Sequence, residues 1–234
     1  MEEFLRANYY YLTHGVEILA AVTGLLFYKK FKNTNIKYFI FFIVSIALAE
    51  LLALYTFYIP NDGAFSFLKG TVFQTNIWWY TIFWKIAAIV FYIFYFIKII
   101  KTKRFLRLLK YLLYVFPSFS VLYIIFNWND FFIRPFPVIN IFGAIIIFMC
   151  AIFYFFEVLQ SESILTFYKS YNFYIAATIF MWWLIITPLV FYDIYFRYVD
   201  WSFIFLQWEI YLFANILMYL TFTFALIWCK PENK

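Results

Sequence analysis

The chain has 234 residues, of which 67% are hydrophobic, 29% aromatic and 13% charged, and its formal net charge is +6. A soluble domain is about half apolar and a quarter charged, so this composition excludes an ordinary water-soluble domain and predicts a protein that lies in a bilayer. The first residues, Met1 to Arg6, lack the basic segment and small-residue cleavage site of a secretory signal, so we expect the first apolar run to remain as a helix.

Seven apolar runs are long enough to cross the hydrocarbon core as helices, which takes about 20 residues each. We therefore predict an all-α, polytopic integral membrane protein: an aromatic-rich seven-transmembrane-helix bundle that forms a single transmembrane domain over residues 1–234. In chain order, the predicted helices cover residues 9–28, 38–58, 77–99, 111–128, 138–158, 174–195 and 203–229.

The distribution of Lys and Arg between the short loops predicts the orientation, because cytoplasmic loops carry an excess of both. With the N-terminus outside, four of these residues lie on the outer side: Arg6, Lys69, Arg134 and Arg197. Thirteen lie on the inner side: Lys29, Lys30, Lys32, Lys37, Lys98, Lys101, Lys103, Arg104, Arg107, Lys110, Lys169, Lys230 and Lys234. This positive-inside bias predicts the N-terminus out and the C-terminus in.

The net positive charge does not indicate a nucleic-acid partner, because the positive-inside bias of a membrane protein beside an anionic leaflet explains it. Its densest part is a cytoplasmic basic surface formed by Lys101, Lys103, Arg104, Arg107 and Lys110. We expect this segment to be a helix end that lies among lipid headgroups. The alternative is a docking surface for another membrane or cytoplasmic protein.

Ionisable residues inside predicted spans give the main functional lead, because charge in hydrocarbon is costly and marks a functional site by default. His14, Glu17, Glu50 and Lys85 lie deep in the first three helices, with Glu209 possible above them in the seventh. Each of the first three helices carries its charge on the same side as small or polar residues, which is typical of a helix–helix contact. We therefore predict a ligand- or proton-binding cluster formed by His14, Glu17, Glu50, Lys85 and Glu209.

Buried charges need partners, so the first expectation is an ion pair between Glu50 and Lys85. Glu17 then lies beside His14, one helical turn away, either ionised against a histidinium or protonated. Both states provide a group that binds or moves a proton near neutral pH. The alternative is a network that only fixes helix packing.

The sequence predicts no cofactor and no catalytic residue. Retinal would need a Schiff-base lysine in the last helix, which has none before Lys230. A metal has one weak candidate pair, His14 and Glu17, and the single histidine excludes a His-rich zinc site. The tryptophans of helices 3 and 6 are candidates for an apolar ligand pocket, although packing or lipid contact is the more common role: Trp78, Trp79, Trp84, Trp182 and Trp183.

The leading functional expectation is a small sensory or accessory subunit of a bacterial cytoplasmic (inner) membrane. It would bind a small ligand, lipid or partner helix at the outward-facing cluster and pass the change to a partner at the basic inner face. The alternative is a small proton-coupled transporter that uses the same cluster, and an integral-membrane enzyme is the third possibility. A transporter should have a water-filled path that reaches the inner side.

Overall fold

A computed structural model of the chain describes residues 2–60, 63–195 and 201–231. Within these ranges it is all-helical, and seven helices are long and apolar enough to cross a membrane, which confirms the predicted fold class. Arg197 and Lys234, two of the residues used to predict the orientation, lie outside the described residues, as does the side chain of Arg6. The seven helices are α1 (Glu2–Phe31), α2 (Ile36–Ala53), α3 (Ile77–Ile99), α4 (Lys103–Phe126), α5 (Pro137–Leu159), α6 (Tyr171–Tyr195) and α7 (Trp201–Trp228).

The helix ends differ from prediction where a helix continues beyond its apolar run. Helix α4 begins at Lys103 rather than at residue 111, and α1 begins at Glu2 rather than at residue 9. Helix α2 ends at Ala53 and continues as a 3₁₀ helix over Leu54–Tyr58. The length of an apolar run shows which residues cross the hydrocarbon core. It does not show the helix ends, because polar residues on either side of the core can continue the same helix.

Six of the helices surround the bundle interior. Helix α1 packs between α2 and α7, α6 packs between α5 and α7, and α3 packs against α5 and α2. Helix α4 packs on the outside of α3 and α5, and only 17% of its most apolar window is buried, against 50% in α5. An odd number of spans places the two chain termini at opposite ends, which we call the amino-terminal end and the carboxyl-terminal end of the bundle.

Glycines allow two of these helix pairs to approach closely. A Cβ atom at Gly24 of α1 would lie 3.1 Å from Cγ2 of Ile40 in α2. A Cβ atom at Gly143 of α5 would lie 2.0 Å from Cδ1 of Ile89 in α3. Small residues at such contacts let helix backbones approach closely. Close packing matters in lipid because no hydrophobic effect drives helices together there.

A layer of buried aromatic rings fills the bundle toward its carboxyl-terminal end. Phe39 lies at the centre of this layer, with ring-centroid distances of 4.9 Å to Phe222, 5.7 Å to Tyr171 and 5.8 Å to Tyr95. All four side chains are at most 2% exposed. We call these four residues the aromatic plug.

Polar side chains connect helix ends at the carboxyl-terminal end. Nζ of Lys30 donates to the carbonyls of Leu226 and Ile227 at the end of α7, where a cation complements the helix dipole. The carboxylate of Glu157, at the end of α5, accepts hydrogen bonds from the backbone N–H groups of Lys101 and Thr102 just before α4. A negative group at this position offsets the unfavourable placement of basic residues in the first turn of α4.

Candidate functional site

A cavity of about 250 Å³ lies between α1, α2, α3, α6 and α7. It is enclosed mainly by aromatic and aliphatic groups, with two carboxylates and one ammonium group in its walls. Its lining residues are Thr13, Glu17, Glu50, Tyr80, Trp84, Lys85, Ala88, Ile89, Tyr92, Ile179, Trp182, Trp183, Tyr211, Asn215, Met218 and Tyr219. Three members of the predicted cluster, Glu17, Glu50 and Lys85, therefore reach one cavity from three different helices.

Glu50 accepts hydrogen bonds from two aromatic side chains of α3. The hydroxyl of Tyr80 donates to Oε2 at 2.9 Å, and Nε1 of Trp84 donates to Oε1. The spacing of four residues places both donors on the same side of α3, at the depth of Glu50 in α2. Glu50 is only 8% exposed, so these bonds compensate for part of the hydration that its carboxylate loses.

Glu17 is held by α7 and lies beside His14. The hydroxyl of Tyr219 donates to its Oε1 at 2.9 Å, and the Glu17 side chain is almost fully buried, with 1% exposure. Nδ1 of His14 lies 3.6 Å from Oε2 of Glu17, close enough for an ion pair if the imidazole is protonated, but too far for a good hydrogen bond. The structure thus brings together the His14 and Glu17 side chains predicted to be one turn apart.

Lys85 does not form the predicted ion pair with Glu50. The ion pairs described include His14–Glu17 and Asp130–Arg134, and none joins Glu50 to Lys85. Both oxygens of Glu50 instead accept from neutral donors, which replaces the expected partner. Nζ of Lys85 lies 6.0 Å from the centroid of the Trp183 ring, on the α6 side of the cavity.

A π-helical segment over Thr81–Ala87 changes the geometry of α3 at this point. Two consecutive residues of this segment, Trp84 and Lys85, both line the cavity. The wider turn of a π-helix changes the angle between successive side chains, and such segments are frequent at functional sites. The π-helical segment thus coincides with the part of α3 that lines the cavity.

The aromatic wall includes three of the five tryptophans that the sequence singled out. Trp84, Trp182 and Trp183 line the cavity, and Nε1 of Trp182 donates to Oδ1 of Asn215 at 2.8 Å. Trp79 instead donates from Nε1 to the backbone carbonyl of Ala49 at 3.0 Å. Trp182 and Trp183 belong to the buried hydrophobic core and Trp84 packs against it, so these three have the more common packing role and also line the cavity.

The remaining predicted residues lie away from this cavity. Glu209 of α7 is half-buried and is not part of the cavity lining. It lies two residues from Tyr211, which does line the cavity, and two residues correspond to about 200° around a helix. The basic surface residues Lys101, Lys103, Arg104, Arg107 and Lys110 are all exposed at the carboxyl-terminal end, four of them on the first turns of α4.

The described residues include no group of three or more His, Cys, Asp or Glu side chains that could hold a metal ion. His14 and Glu17 would supply two ligands at most. A tetrahedral zinc site uses three or four protein ligands.

The aromatic plug lies between this cavity and the carboxyl-terminal end of the bundle. Its four residues are not part of the cavity lining, and they are packed at ring-centroid distances of 4.9 to 5.8 Å. Close-packed rings of this kind leave no room for a column of water. In the described residues, the cavity is therefore closed toward that end.

Sequence reasoning missed Tyr80, Trp84 and Tyr219 as partners of the carboxylates. A usable signal was present in α3, where Tyr80 and Trp84 share a helix side at the predicted depth of Glu50. For Tyr219 no comparable signal exists, because its contact with Glu17 depends on how α7 packs against α1.

Comparison with known proteins found no matching family model, no curated protein with significant sequence similarity and no significantly similar solved structure. The proposed function therefore rests on the chemistry of the cavity. The cavity is small, has aromatic walls and contains two buried carboxylates, one from α1 and one from α2.

Proposed function

We propose that this protein is a membrane sensory or accessory subunit that binds a small organic cation, such as an amine, in its central cavity. The observation that carries the proposal is the pair of carboxylates, Glu17 and Glu50, in an aromatic-walled chamber. Their described hydrogen-bond donors, Tyr219, Tyr80 and Trp84, are all neutral.

Charge complementarity favours a cationic ligand. Buried carboxylates are stable when a positive group lies nearby, and an ammonium group both supplies that charge and donates hydrogen bonds. The faces of Trp and Tyr rings attract a cation as well, and the cavity has Trp84, Trp182 and Trp183 in its walls. Lys85 also lines the cavity, on the α6 side near Trp183.

The size of the cavity favours a small molecule over a lipid tail or a partner helix. Its volume of about 250 Å³ is slightly below the usual range for drug-sized ligands. An inserted helix, with a diameter of about 10 Å, would need far more space. The ligand is therefore expected to be a compact amine with an apolar body.

The basic surface is the proposed contact for a partner protein. We propose that the amino-terminal end faces outward and that the basic surface contacts the cytoplasmic leaflet and a partner protein, in the inner membrane of a bacterium. The lopsided distribution of Lys and Arg supports this orientation. A change in ligand occupancy would reach the basic surface through α3, which continues from the cavity to the segment just before α4.

Proton-coupled transport by the same cluster remains the second candidate, because His14 lies next to a buried carboxylate. A transporter needs access from both sides of the membrane in turn. The aromatic plug lies between the cavity and the carboxyl-terminal end, so transport would require these four rings to separate. An enzyme is the third candidate.

The test measures binding of amines to the full chain in nanodiscs of zwitterionic lipid. Each amine is compared with the alcohol of matched shape, for example 2-phenylethylamine with 2-phenylethanol, by thermal shift and calorimetry. We expect the amines, and not the alcohols, to raise the melting temperature. Glu50→Gln should weaken amine binding by roughly tenfold or more, because it removes a charge-assisted contact worth about 1.5–3 kcal/mol.

Glu209→Gln is the matched control, since Glu209 is a half-buried carboxylate of the same bundle outside the cavity lining. It should bind the amines as the unmodified protein does. Equal binding of amines and alcohols would contradict the proposal, as would full retention of amine binding in a folded Glu50→Gln variant.

A further inference from the structure

A second cavity, of about 690 Å³, opens at the carboxyl-terminal end of the bundle and shares no lining residue with the first. It lies between the end of α5, the junction of α3 and α4, the connecting segment 160–170 and the residues that follow α7. We propose that this cleft binds a phosphate group, carried in the membrane by the headgroup of an anionic lipid.

Three lysines from distant parts of the sequence meet in this cleft. Lys101 comes from the α3–α4 junction, Lys169 from the segment before α6 and Lys230 from the residues after α7. They are separated by more than 60 residues in sequence, so the fold gathers them, and they are not a local run of charge. Ammonium groups around one concavity are the usual means of binding a phosphate.

The negative charge in the cleft wall already accepts hydrogen bonds from backbone N–H groups. Glu157 is the sole carboxylate among the described lining residues. Its oxygens accept from the backbone N–H of Lys101 at 2.9 and 3.1 Å and from that of Thr102 at 2.6 Å. Glu157 therefore neutralises the start of α4, and the three lysines leave the lining with a net charge of +2 (three positive, one negative).

Neutral groups add hydrogen-bonding capacity that suits an anion. Asn172 lines the cleft, and its Oδ1 accepts from the hydroxyl of Tyr95 at 2.6 Å. Thr166 and Gln160, whose side chains carry hydrogen-bond donors, also line the cleft.

The surroundings of the cleft favour a lipid over free phosphate. The connecting segment beside it exposes apolar side chains: Leu165 is 77% exposed and Leu159, at the end of α5, is 65% exposed. Side chains of this kind at the end of a spanning bundle are stable in contact with acyl chains rather than with water. A headgroup in the cleft would place its acyl chains along this apolar edge.

The test measures lipid binding to the full chain in detergent by native mass spectrometry. Phosphatidic acid and phosphatidylglycerol are titrated against phosphatidylcholine. We expect both anionic lipids to bind in preference to phosphatidylcholine. Replacing Lys101, Lys169 and Lys230 together by Gln should weaken phosphatidic acid binding by roughly 100-fold, since each lysine near a phosphate contributes about a factor of five.

The matched control replaces Lys29, Lys32 and Lys98 by Gln, which removes the same charge from exposed positions at the same end of the bundle, outside both the cleft lining and the basic surface. This control should lose less than about threefold in phosphatidic acid binding, because no enclosed site is affected. A second variant with Arg at all three cleft positions keeps the charge and should retain binding. It also provides a folded comparison if the triple Gln variant unfolds.

Competition with inorganic phosphate and glycerol 3-phosphate distinguishes a site for a lipid phosphate from a site for a soluble phosphate. Both should compete with phosphatidic acid only weakly, at millimolar concentration or above. Equal losses in the cleft and control variants would overturn the proposed site. Full displacement of the lipid by equimolar inorganic phosphate would overturn its assignment to a lipid headgroup.

Discussion

At the scale of single residues, the strongest feature is a pair of buried carboxylates that rely on aromatic donors. The cost of an unsatisfied buried polar group exceeds the average net gain of a hydrogen bond. Glu17 and Glu50 each avoid that cost through hydroxyl or indole groups on a neighbouring helix. The same donors thus hold the helices together and present the carboxylates to the cavity.

Replacing Tyr219 by Phe should destabilise the protein, because it leaves Oε1 of the buried Glu17 without its described donor. The expected loss in free energy of unfolding is about 1–3 kcal/mol, and more if Glu17 is ionised. Thermal unfolding in detergent measures the change. Tyr114→Phe is the control, since Tyr114 is 73% exposed on α4. Equal melting temperatures for the two variants would contradict the role given to Tyr219.

At the scale of the helices, close approach and local geometry determine which side chains reach the cavity. Gly143 of α5 allows contact with Ile89 of α3, and Ile89 itself lines the cavity. The π-helical segment of α3 then presents Trp84 and Lys85 together. Both features follow from the packing of α3, the helix that connects the cavity to the basic end of the bundle.

Gly143→Ala should be less stable than Gly15→Ala by about 1 kcal/mol, the low end of overpacking costs. The added methyl group would lie 2.0 Å from Cδ1 of Ile89, the flexible end of that side chain, which must move. Gly15→Ala is the control, because a Cβ atom there meets nothing within 4 Å. Thermal unfolding compares the two, and a Gly143→Ala protein as stable as the control would refute the close contact.

At the scale of the whole molecule, the bundle separates two chemically different ends. The amino-terminal half contains the carboxylate cavity, and the carboxyl-terminal end contains the lysine cleft and the exposed basic surface. The aromatic plug lies between them. The two proposed ligands, a cation in the cavity and an anionic lipid in the cleft, match the charges of these two regions.

The proposed orientation is testable with single cysteines in the loops. Ser66→Cys lies between α2 and α3, and Glu162→Cys lies between α5 and α6, at the opposite end. With the N-terminus outside, a membrane-impermeant maleimide should label Ser66→Cys in intact cells and Glu162→Cys only after permeabilisation. The native Cys150 and Cys229 are at most 1% exposed, so the parent protein gives the background. The reverse labelling pattern would show the opposite orientation.

The sequence by itself determined that the chain forms seven apolar helices, because the length of each run and the cost of exposing backbone polar groups in lipid leave few alternatives. It also identified Glu17, Glu50 and Lys85 as inward-facing, since a charge in hydrocarbon must face the bundle. Helix ends were less certain, as α4 shows, because the helical turns outside the hydrocarbon core have no apolar signature.

Only the tertiary structure decided which groups meet. The Glu50–Lys85 pair was a reasonable expectation from depth alone, yet Glu50 accepts from Tyr80 and Trp84. Pairing depends on the rotation of each helix about its axis, and the π-helical segment of α3 alters that rotation locally. The convergence of Lys101, Lys169 and Lys230 likewise arises from chain ends and loops brought together by packing, which no local sequence pattern encodes.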